Sequence, residues 1–304
     1  MTPDASVSAP VHTRLPVDTR DGPVTLAVAD RDGLVAWYGR VLGFVELARS
    51  ATRSVLGAAG GAALLVLDQK PGLPAHDQRT AGLFHVAYLV PSREDLARWV
   101  AHVAAQRIPI EGASDHLVSE AFYLSDPEGN GIEVYRDRPR GEWRRKGDEI
   151  EMDTLAADVQ CLLALGTRLP AWTGAASGTT VGHVHLKVAD LDAARRFYVE
   201  TLGMDLMTTY PGALFVAAGG YHHHFGLNVW RSKGRPKPAR EEYGLAETTI
   251  VVPDAAALAA TATRLAAAGY RADSGDGAVI TVDPAGNRLR LAIGEATAEA
   301  LLAA

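Results

Sequence analysis

The chain has 304 residues, a length that predicts about two domains, each large enough to bury its own core. Hydrophobic residues make up 47% of the chain and charged residues 22%, which excludes disorder as its main state. A net charge of -6 argues against nucleic acid as a partner, and a single cysteine, Cys161, excludes a fold held together by internal disulfides.

The sequence shows no signal for export or membrane insertion. Its first residues, MTPDASVSAPVHTRLPVDTRDG, lack the basic start and apolar run of a signal peptide. No apolar stretch approaches the roughly 18 residues that span a bilayer. These patterns predict a cytoplasmic protein that does not enter a membrane.

Three stretches of the chain occur twice at a nearly constant spacing. They are VADRDGLVAWYGRVLGF (28–44) with VADLDAARRFYVETLGM (188–204), GLFHVAYLVP (82–91) with GLAETTIVVP (244–253), and DPEGN (126–130) with DPAGN (283–287). Chance does not explain three such matches, so the chain is predicted to consist of two homologous halves, 22–140 and 179–296.

Each half divides again into two similar units. VTLAVAD and HVAYLVP, at 24–30 and 85–91, read as strands that lead into helices with apolar residues every three or four positions. Asp30 and Asp190 are placed to cap such helices, and Gly43 and Gly203 to end them. Short strands follow, with DPEGN and DPAGN as turns before the last strand. The pattern predicts an α+β fold of four strand–helix–strand–strand–strand (βαβββ) modules.

The segment between the halves, residues 141–178, has a different composition. It is basic, then acidic, then rich in Gly, Ser and Thr, and it carries one short helical pattern from Thr154 to Leu165. We therefore expect a solvated connector. Residues 1–21 and 297–304 are predicted to be terminal tails. The C-terminal tail is predicted to belong to a short helix.

Four βαβββ modules in one chain resemble the vicinal oxygen chelate superfamily of glyoxalases, bleomycin-resistance proteins and extradiol dioxygenases. Four stretches resemble the bacterial catechol 2,3-dioxygenases with two halves: GLFHVAYLVPSREDLARWVAHV, SEAFYLSDPEGNGIEVYRDRPR, VGHVHLKVADLDAARRFY and FVAAGGYHHHFGLNVW. The resemblance implies that the modules pair into cupped sheets. It also implies that metal ligands come from the first and last strands of the modules.

Only the two central modules hold suitable residues at those ligand positions. Modules two and three supply His85, Glu133 and His183, with Asn228 in the fourth place. Modules one and four supply only Pro23, Leu65, Glu247 and Arg290, a set that does not suit a divalent cation. The resemblance thus implies one metal site that bridges the two halves, whereas the better-known dioxygenases of the family carry it within the C-terminal half.

Two histidines and one carboxylate form the facial triad of non-haem iron, which leaves three positions for substrate, water and dioxygen. A lone strand histidine is more often an ordinary half-buried residue, but three residues at the family's ligand positions favour a metal. The resemblance implies Fe(II), and Mn(II) suits the same ligands. A glyoxalase I needs a fourth protein ligand, for which Asn228 is a poor substitute.

The resemblance also suggests residues around the metal. His223 is the candidate acid or base beside the dioxygen position, Tyr123 the candidate donor to a substrate oxygen, and His116 a residue that borders the substrate ring. If the histidine run continues a strand, His222 and His224 face the opposite way from His223. A surface histidine cluster, or an alternative ligand set, is the competing interpretation of that run.

Four more side chains are candidates to line the substrate cavity. His185 follows His183 by two residues and therefore lies on the same face of the strand. The complete lining set comprises His185, Asn228, His222 and His224.

Taken together, the sequence predicts an Fe(II)-dependent extradiol dioxygenase that cleaves a small aromatic diol, with dioxygen as co-substrate. No nucleic acid or membrane partner is expected, and assembly into a homo-oligomer is left open. Two alternatives remain: a metal-dependent lyase or isomerase of the glyoxalase type, and a non-catalytic protein that binds an aromatic drug in the cup.

Overall fold

The structure, a computed structural model, describes residues 14–303. In this range the chain forms the four expected βαβββ modules, which confirms the predicted α+β fold. The first half consists of β1 (Arg20–Val28), α1 (Arg31–Leu42), β2 (Val45–Arg49), β3 (Arg53–Gly57), β4 (Ala63–Gln69), β5 (Gly82–Leu89), α2 (Arg93–Ala105), β6 (Gly112–Asp115), β7 (Ser119–Ser125) and β8 (Gly131–Asp137).

The segment between the halves is more ordered than the expected solvated connector. Its elements are a 3-10 turn (Arg140–Glu142), β9 (Arg145–Lys146), β10 (Glu149–Ile150), β11 (Leu155–Ala156) and α3 (Val159–Gly166). Leu155 of β11 pairs with Asp115 of β6, so the connector adds an edge strand to a sheet. Two-residue strands carry no periodicity that a sequence could reveal, so the sequence predicted only the short helix, which overlaps α3.

The second half repeats the modules of the first. It consists of β12 (Thr180–Lys187), α4 (Leu191–Arg195) with a π-helical continuation (Arg196–Thr201), β13 (Asp205–Tyr210), β14 (Ala213–Ala217), β15 (Phe225–Asn228), β16 (Gly244–Val252), α5 (Ala255–Ala267), β17 (Asp273–Gly275), β18 (Ala278–Val282), β19 (Arg288–Ile293) and α6 (Ala298–Ala303). Residues 1–13 of the predicted N-terminal tail and residue 304 lie outside the described part.

The modules pair across the two halves. One curled sheet has nine strands in the order β11-β6-β7-β8-β5-β12-β15-β14-β13, and the other has eight in the order β17-β18-β19-β16-β1-β4-β3-β2. The antiparallel pairs β5–β12 and β1–β16 join one half to the other. Modules two and three therefore share one cup, which is the pairing that a site built from both of them needs.

The repeated sequence motifs form equivalent caps and hydrogen bonds in the two halves. The Asp30 side chain caps α1 by accepting from the backbone N–H of Gly33, and Gly43 ends the helix in the left-handed conformation at φ 71°, as predicted. Tyr38 of α1 donates to Asp126 Oδ2 at 3.0 Å, and Tyr198 donates to Asp283 Oδ2 at the same distance. Each tyrosine thus ties the helix of one module to the DPxGN turn of the next.

The main hydrophobic core lies between the helices and the outer faces of both sheets, which leaves the inner faces of the cups to polar side chains. Its members include fully buried aromatic residues such as Tyr38, Phe197 and Phe225. Within residues 14–303, no helix has both the length and the apolar character that crossing a bilayer requires.

Gly131 permits the close approach of β8 to β5, and its replacement tests how tightly the cup is packed. A Cβ atom at this position would lie 2.0 Å from the carbonyl oxygen of Phe84 and 3.2 Å from Cβ of His85. We expect Gly131→Ala to lower the free energy of unfolding by about 1 to 3 kcal/mol, because the strands must separate. Chemical denaturation of Gly141→Ala, where a Cβ meets nothing within 4 Å, is the control. Equal midpoints for the two variants would contradict the expectation.

Candidate metal centre and its cavity

Three neighbouring strands place the predicted ligands on one face of the nine-stranded sheet. Glu133 of β8 pairs with Ala87 of β5, and Ala87 pairs in turn with His183 of β12. His85 lies two residues before Ala87, so its side chain points to the same face. The small side chain of Ala87, between Glu133 and His183, leaves the space above the row free for the three longer side chains.

The three predicted ligands converge in the structure. Glu133 Oε2 lies 3.0 Å from His85 Nε2 and 3.2 Å from His183 Nε2, and all three residues are buried. One ligand atom from each residue lies within 4.8 Å of the other two, and in the described part of the chain no fourth His, Cys, Asp or Glu joins this group. Although it lies so near Glu133, His85 Nε2 has no hydrogen-bond partner.

These side chains fit a divalent metal ion. Adjacent ligands of an octahedral ion, each about 2.1 Å from the metal, are about 3 Å apart, which is the separation seen from Glu133 Oε2 to both imidazoles. Two nitrogen donors and one carboxylate suit Fe(II) or Mn(II). A bound ion would satisfy His85 Nε2, whose 3.0 Å contact with Glu133 Oε2 does not have the geometry of a hydrogen bond.

The surroundings of Glu133 and His183 keep these two ligands in their metal-binding protonation states. Burial alone would raise the pKa of Glu133, but His183 and His85 beside it hold that pKa well below its ordinary value. Burial lowers the pKa of His183 to about 4 despite the neighbouring carboxylate. A deprotonated carboxylate and neutral imidazoles are the forms that bind a metal.

The fourth ligand position is held by Gly226, and the prediction of Asn228 was wrong by two residues. Ala87, two residues after His85, pairs with Glu133 of β8. His185, two residues after His183, is the equivalent residue of β12, and it pairs with Gly226 of β15. Asn228 pairs with Lys187 and accepts from the backbone N–H of Trp230. The sequence alignment failed because β15 is offset relative to β8.

His185 covers the place where a fourth ligand would begin. A Cβ atom on Gly226 would lie 2.8 Å from the ring of His185, so no larger residue fits without displacing that ring. The ring packs edge-on against His85, with centroids 4.9 Å apart, and it lines the cavity above the triad. Burial, together with His85 and His183, lowers the pKa of His185 and keeps it neutral.

The histidine run lies in a turn before β15 and not on a strand, so the expected alternation of faces does not apply. His223 lines the cavity, and its ring centroid is 4.1 Å from that of His183. His222 is fully buried behind His223, while His224 faces a separate cavity near β1 and accepts from the backbone N–H of Ala218. The placement of His222 and His224 as cavity-lining residues was therefore wrong.

Asp137 orients His223 through His222. His222 Nε2 donates to Asp137 Oδ1 at 2.8 Å, and His222 Nδ1 lies 2.8 Å from His223 Nδ1. If both rings are neutral, His222 Nδ1 must accept, so the proton between them belongs to His223 Nδ1. That assignment leaves the lone pair of His223 on Nε2.

His116 and Tyr123 form a second polar pair on the wall of the cavity. His116 follows β6 in a short turn, and its Nδ1 donates to the carbonyl oxygen of Asp153 at 2.7 Å. Its Nε2 therefore accepts from Tyr123 Oη, at 2.6 Å. Tyr123 lies opposite Glu133 in the β7–β8 pair, and both burial and that carboxylate raise its pKa.

A cavity of about 610 Å³ opens above the triad. This volume is within the range of small-molecule sites. Much of this lining was not identified in the sequence, because the residues belong to no recognisable motif. They are aromatic residues in or just after strands, a segment of the connector, and two basic residues. They are Phe84, Tyr210, Phe215 and Trp230, then Met152, Asp153 and Thr154, and finally Lys187 and Arg231.

Buried neutral histidines make the stability of the metal-free protein depend on pH. Burial lowers the pKa of His224 to about 3, against 6.5 in an unfolded chain. As the pH falls below 6.5 only the unfolded state binds this proton, so stability decreases towards pH 3. By pH 5 this one residue should cost about 2 kcal/mol relative to pH 7.

Chemical denaturation with a chelator at pH 7 and pH 5 would measure this effect. His224→Gln should reduce the loss of stability between the two pH values, whereas His102→Gln, at a half-buried position of α2, should not. An unchanged loss in His224→Gln would show that His224 is not kept neutral by the fold.

The chain belongs to the Glyoxalase/Bleomycin resistance protein/Dioxygenase superfamily, which it matches over residues 22–134 and 180–291. The match confirms the resemblance found in the sequence. It occurs once in each half, in agreement with the internal repeat.

Two known proteins illustrate the relationship. Catechol-2,3-dioxygenase of Bacillus subtilis (strain 168) is 38% identical to this chain over 282 residues, which cover 90% of this chain and 96% of that protein. The crystal structure of glyoxalase I from Zea mays is similar with a TM-score of 0.54 and 17% identity, covering 94% of each chain. At that identity the second likeness describes the fold alone.

Proposed function

We propose that this protein is an Fe(II)-dependent extradiol dioxygenase that cleaves the ring of a catechol-type aromatic. The observation that carries the proposal is the triad of His85, Glu133 and His183 in a cavity large enough for an aromatic diol. The 38% identity to a catechol-2,3-dioxygenase supports it. Mn(II) is the alternative metal, because the same ligands suit it. The two halves, 22–140 and 179–296, are proposed as the domains.

The proposed chemistry divides between the metal and the cavity wall. Iron held by the triad would supply the redox chemistry that couples dioxygen to the diol. His85, Glu133 and His183 would hold the ion, and a triad of this kind would leave coordination positions for substrate and dioxygen. The protein then has to bind the substrate, exclude water and move protons.

Three side chains of the wall are proposed to move or hold those protons. His223 presents Nε2, with its lone pair, and takes a proton from the diol or returns one to the product. Tyr123, whose own hydroxyl proton is donated to His116, accepts a hydrogen bond from a hydroxyl group of the diol. His116 fixes the orientation of the Tyr123 hydroxyl and borders the ring.

Gly226 favours this reaction over a glyoxalase-type isomerisation. A fourth protein ligand would occupy a position that a dioxygenase needs for its substrates, and glycine offers no ligand atom there. A non-catalytic binding protein is the other candidate, but it needs no convergent His–Glu–His group in its cavity.

The test is ring cleavage by the metal-loaded protein. We expect the protein reconstituted with Fe(II) under nitrogen to consume dioxygen and catechol in equal amounts, and to form the yellow ring-opened product. No dioxygen uptake with Fe(II) or with Mn(II), across catechols of different substitution, would contradict the proposal. Conversion of a hemithioacetal in place of catechol would favour the glyoxalase-type alternative.

A further inference from the structure

The cavity above the triad has a basic end. His183, His185 and Lys187 are alternate residues of β12, so all three side chains point to the inner face of the cup. Lys187 is 1% exposed and lines the cavity, as does Arg231 just beyond β15. The two acidic residues of the wall apart from Glu133, namely Glu111 and Asp153, belong to the β6 side and the connector.

Lys187 is a buried cation that contacts only neutral acceptors. Its Nζ donates to His76 Nε2 at 3.0 Å, to Gln78 Oε1 at 2.8 Å and to the carbonyl oxygen of Gln78 at 3.3 Å. Burial, together with the nearby charge of Arg231, lowers the pKa of Lys187 to about 8. A buried ammonium group without a counter-ion is unfavourable, so its position inside a cavity requires an explanation.

The nearest carboxylates already have partners. Asp77 acts on Lys187 from a distance, but it forms an ion pair with Arg79. Glu242 lies beyond the imidazole of His76, where it pairs with His76 and Arg240. Among residues 14–303, neither Lys187 nor Arg231 forms an ion pair with a carboxylate.

The position of Lys187 suits one end of an extended substrate. Lys187 lies four positions after His183 in β12, a distance of about 13 Å between Cα atoms. A catechol with an arm of two or three carbons spans roughly 9 Å from the diol oxygens to a terminal carboxylate, at about 1.5 Å per bond. A diol bound at the triad would therefore bring such a carboxylate close to the basic end.

We propose that Lys187 and Arg231 form an anion subsite that binds the carboxylate of an acidic side arm on the aromatic diol. The carboxylate replaces the neutral Oε1 of Gln78 as an acceptor for Lys187, and Arg231 contacts it from the mouth of the cavity. The diol part of this inference rests on the proposed function. The binding of an anion does not, because Lys187 and Arg231 would attract a carboxylate whether or not the protein is a dioxygenase.

A matched pair of substrates tests the subsite during turnover. A catechol carrying a propionate arm and its methyl ester differ mainly in charge. We expect kcat/KM of the iron-loaded enzyme to be about 10- to 100-fold higher for the acid, the range for a hydrogen-bonded charge pair. The preference should disappear in Lys187→Met and decrease in Arg231→Gln. Lys237→Met is the control, and the preference for the acid should persist in it. Lys237 is also part-buried and also donates to a neutral carbonyl oxygen, but it lies outside this cavity.

A binding measurement separates this inference from the proposed function. 3-Phenylpropionate and its methyl ester lack the diol and cannot be cleaved, so calorimetry under nitrogen reports the subsite alone. Tighter binding of the acid by about tenfold in the native protein, lost in Lys187→Met, would support the subsite even if no catechol were cleaved. Equal kcat/KM for acid and ester in the native enzyme, or equal binding of the two phenyl compounds, would overturn it. So would a preference that persists in both Lys187→Met and Arg231→Gln.

Discussion

Glu133→Gln is expected to abolish tight binding of the catalytic metal and, with it, ring cleavage. The amide keeps the shape of the carboxylate but loses the negative charge that faces His85 and His183. Loss of a ligand should weaken metal affinity by more than the 10- to 100-fold typical of residues that merely support a ligand. Metal content after anaerobic reconstitution and dialysis, together with dioxygen uptake, measures both effects.

Glu247→Gln is the matched control for this experiment. Glu247 stands at the ligand position of the other cup, where it forms an ion pair with Arg288 at 2.8 Å. Its replacement should leave one metal ion per chain. His85→Ala should behave like Glu133→Gln, with the far-ultraviolet circular dichroism of both variants unchanged because the triad lines a cup and does not fill the core. Full metal occupancy in both variants would show that another set of residues binds the metal.

Asp137→Asn is expected to slow turnover by about 10- to 100-fold while leaving the metal in place. The amide nitrogen can donate to His222 Nε2, which would move the proton of His222 to Nδ1. His223 Nδ1 must then accept, and the proton of His223 moves to Nε2, the atom proposed to act as the base. His223→Gln, which removes that base, should reduce kcat by about 10²- to 10⁴-fold.

Two readouts distinguish this orienting role from a structural one. Nitrogen NMR of the metal-free protein should show His223 protonated on Nδ1 in the native chain and on Nε2 in Asp137→Asn. Tyr221→Phe removes the other side-chain bond to Asp137, a 3.0 Å contact, and should leave both the tautomer and kcat nearly unchanged. If Asp137→Asn alters the fold but not the tautomer, the orienting role of Asp137 is wrong.

The positions of His85, Glu133 and His183 could be predicted because they depend on local spacing within a repeated module. Each first-strand residue stands seven positions before a helix cap, Ser92 in module two and Asp190 in module three, and the caps are formed as expected. The pairing of the central modules could also be anticipated, since only they together carry two histidines and a carboxylate at the ligand positions.

The remaining parts of the site depend on contacts that no local pattern encodes. Asn228 was misplaced because the turn before β15 is not the DPEGN turn before β8, and the strand registers differ by two residues. Met152 and Thr154 reach the cavity only because β11 joins the edge of the sheet beside β6. In the sequence Lys187 cannot be distinguished from an ordinary strand lysine, because its burial depends on tertiary packing.

Because the modules pair across the halves of one chain, the two cups can carry different residues. In a dimer of identical half-chains, both cups would have to carry the same residues, so each substitution would change two sites at once. Joining the halves in one chain removes this constraint, because each module can then change by itself. One cup can therefore have Pro23 and Arg290 at its ligand positions while the other holds the triad and a basic end.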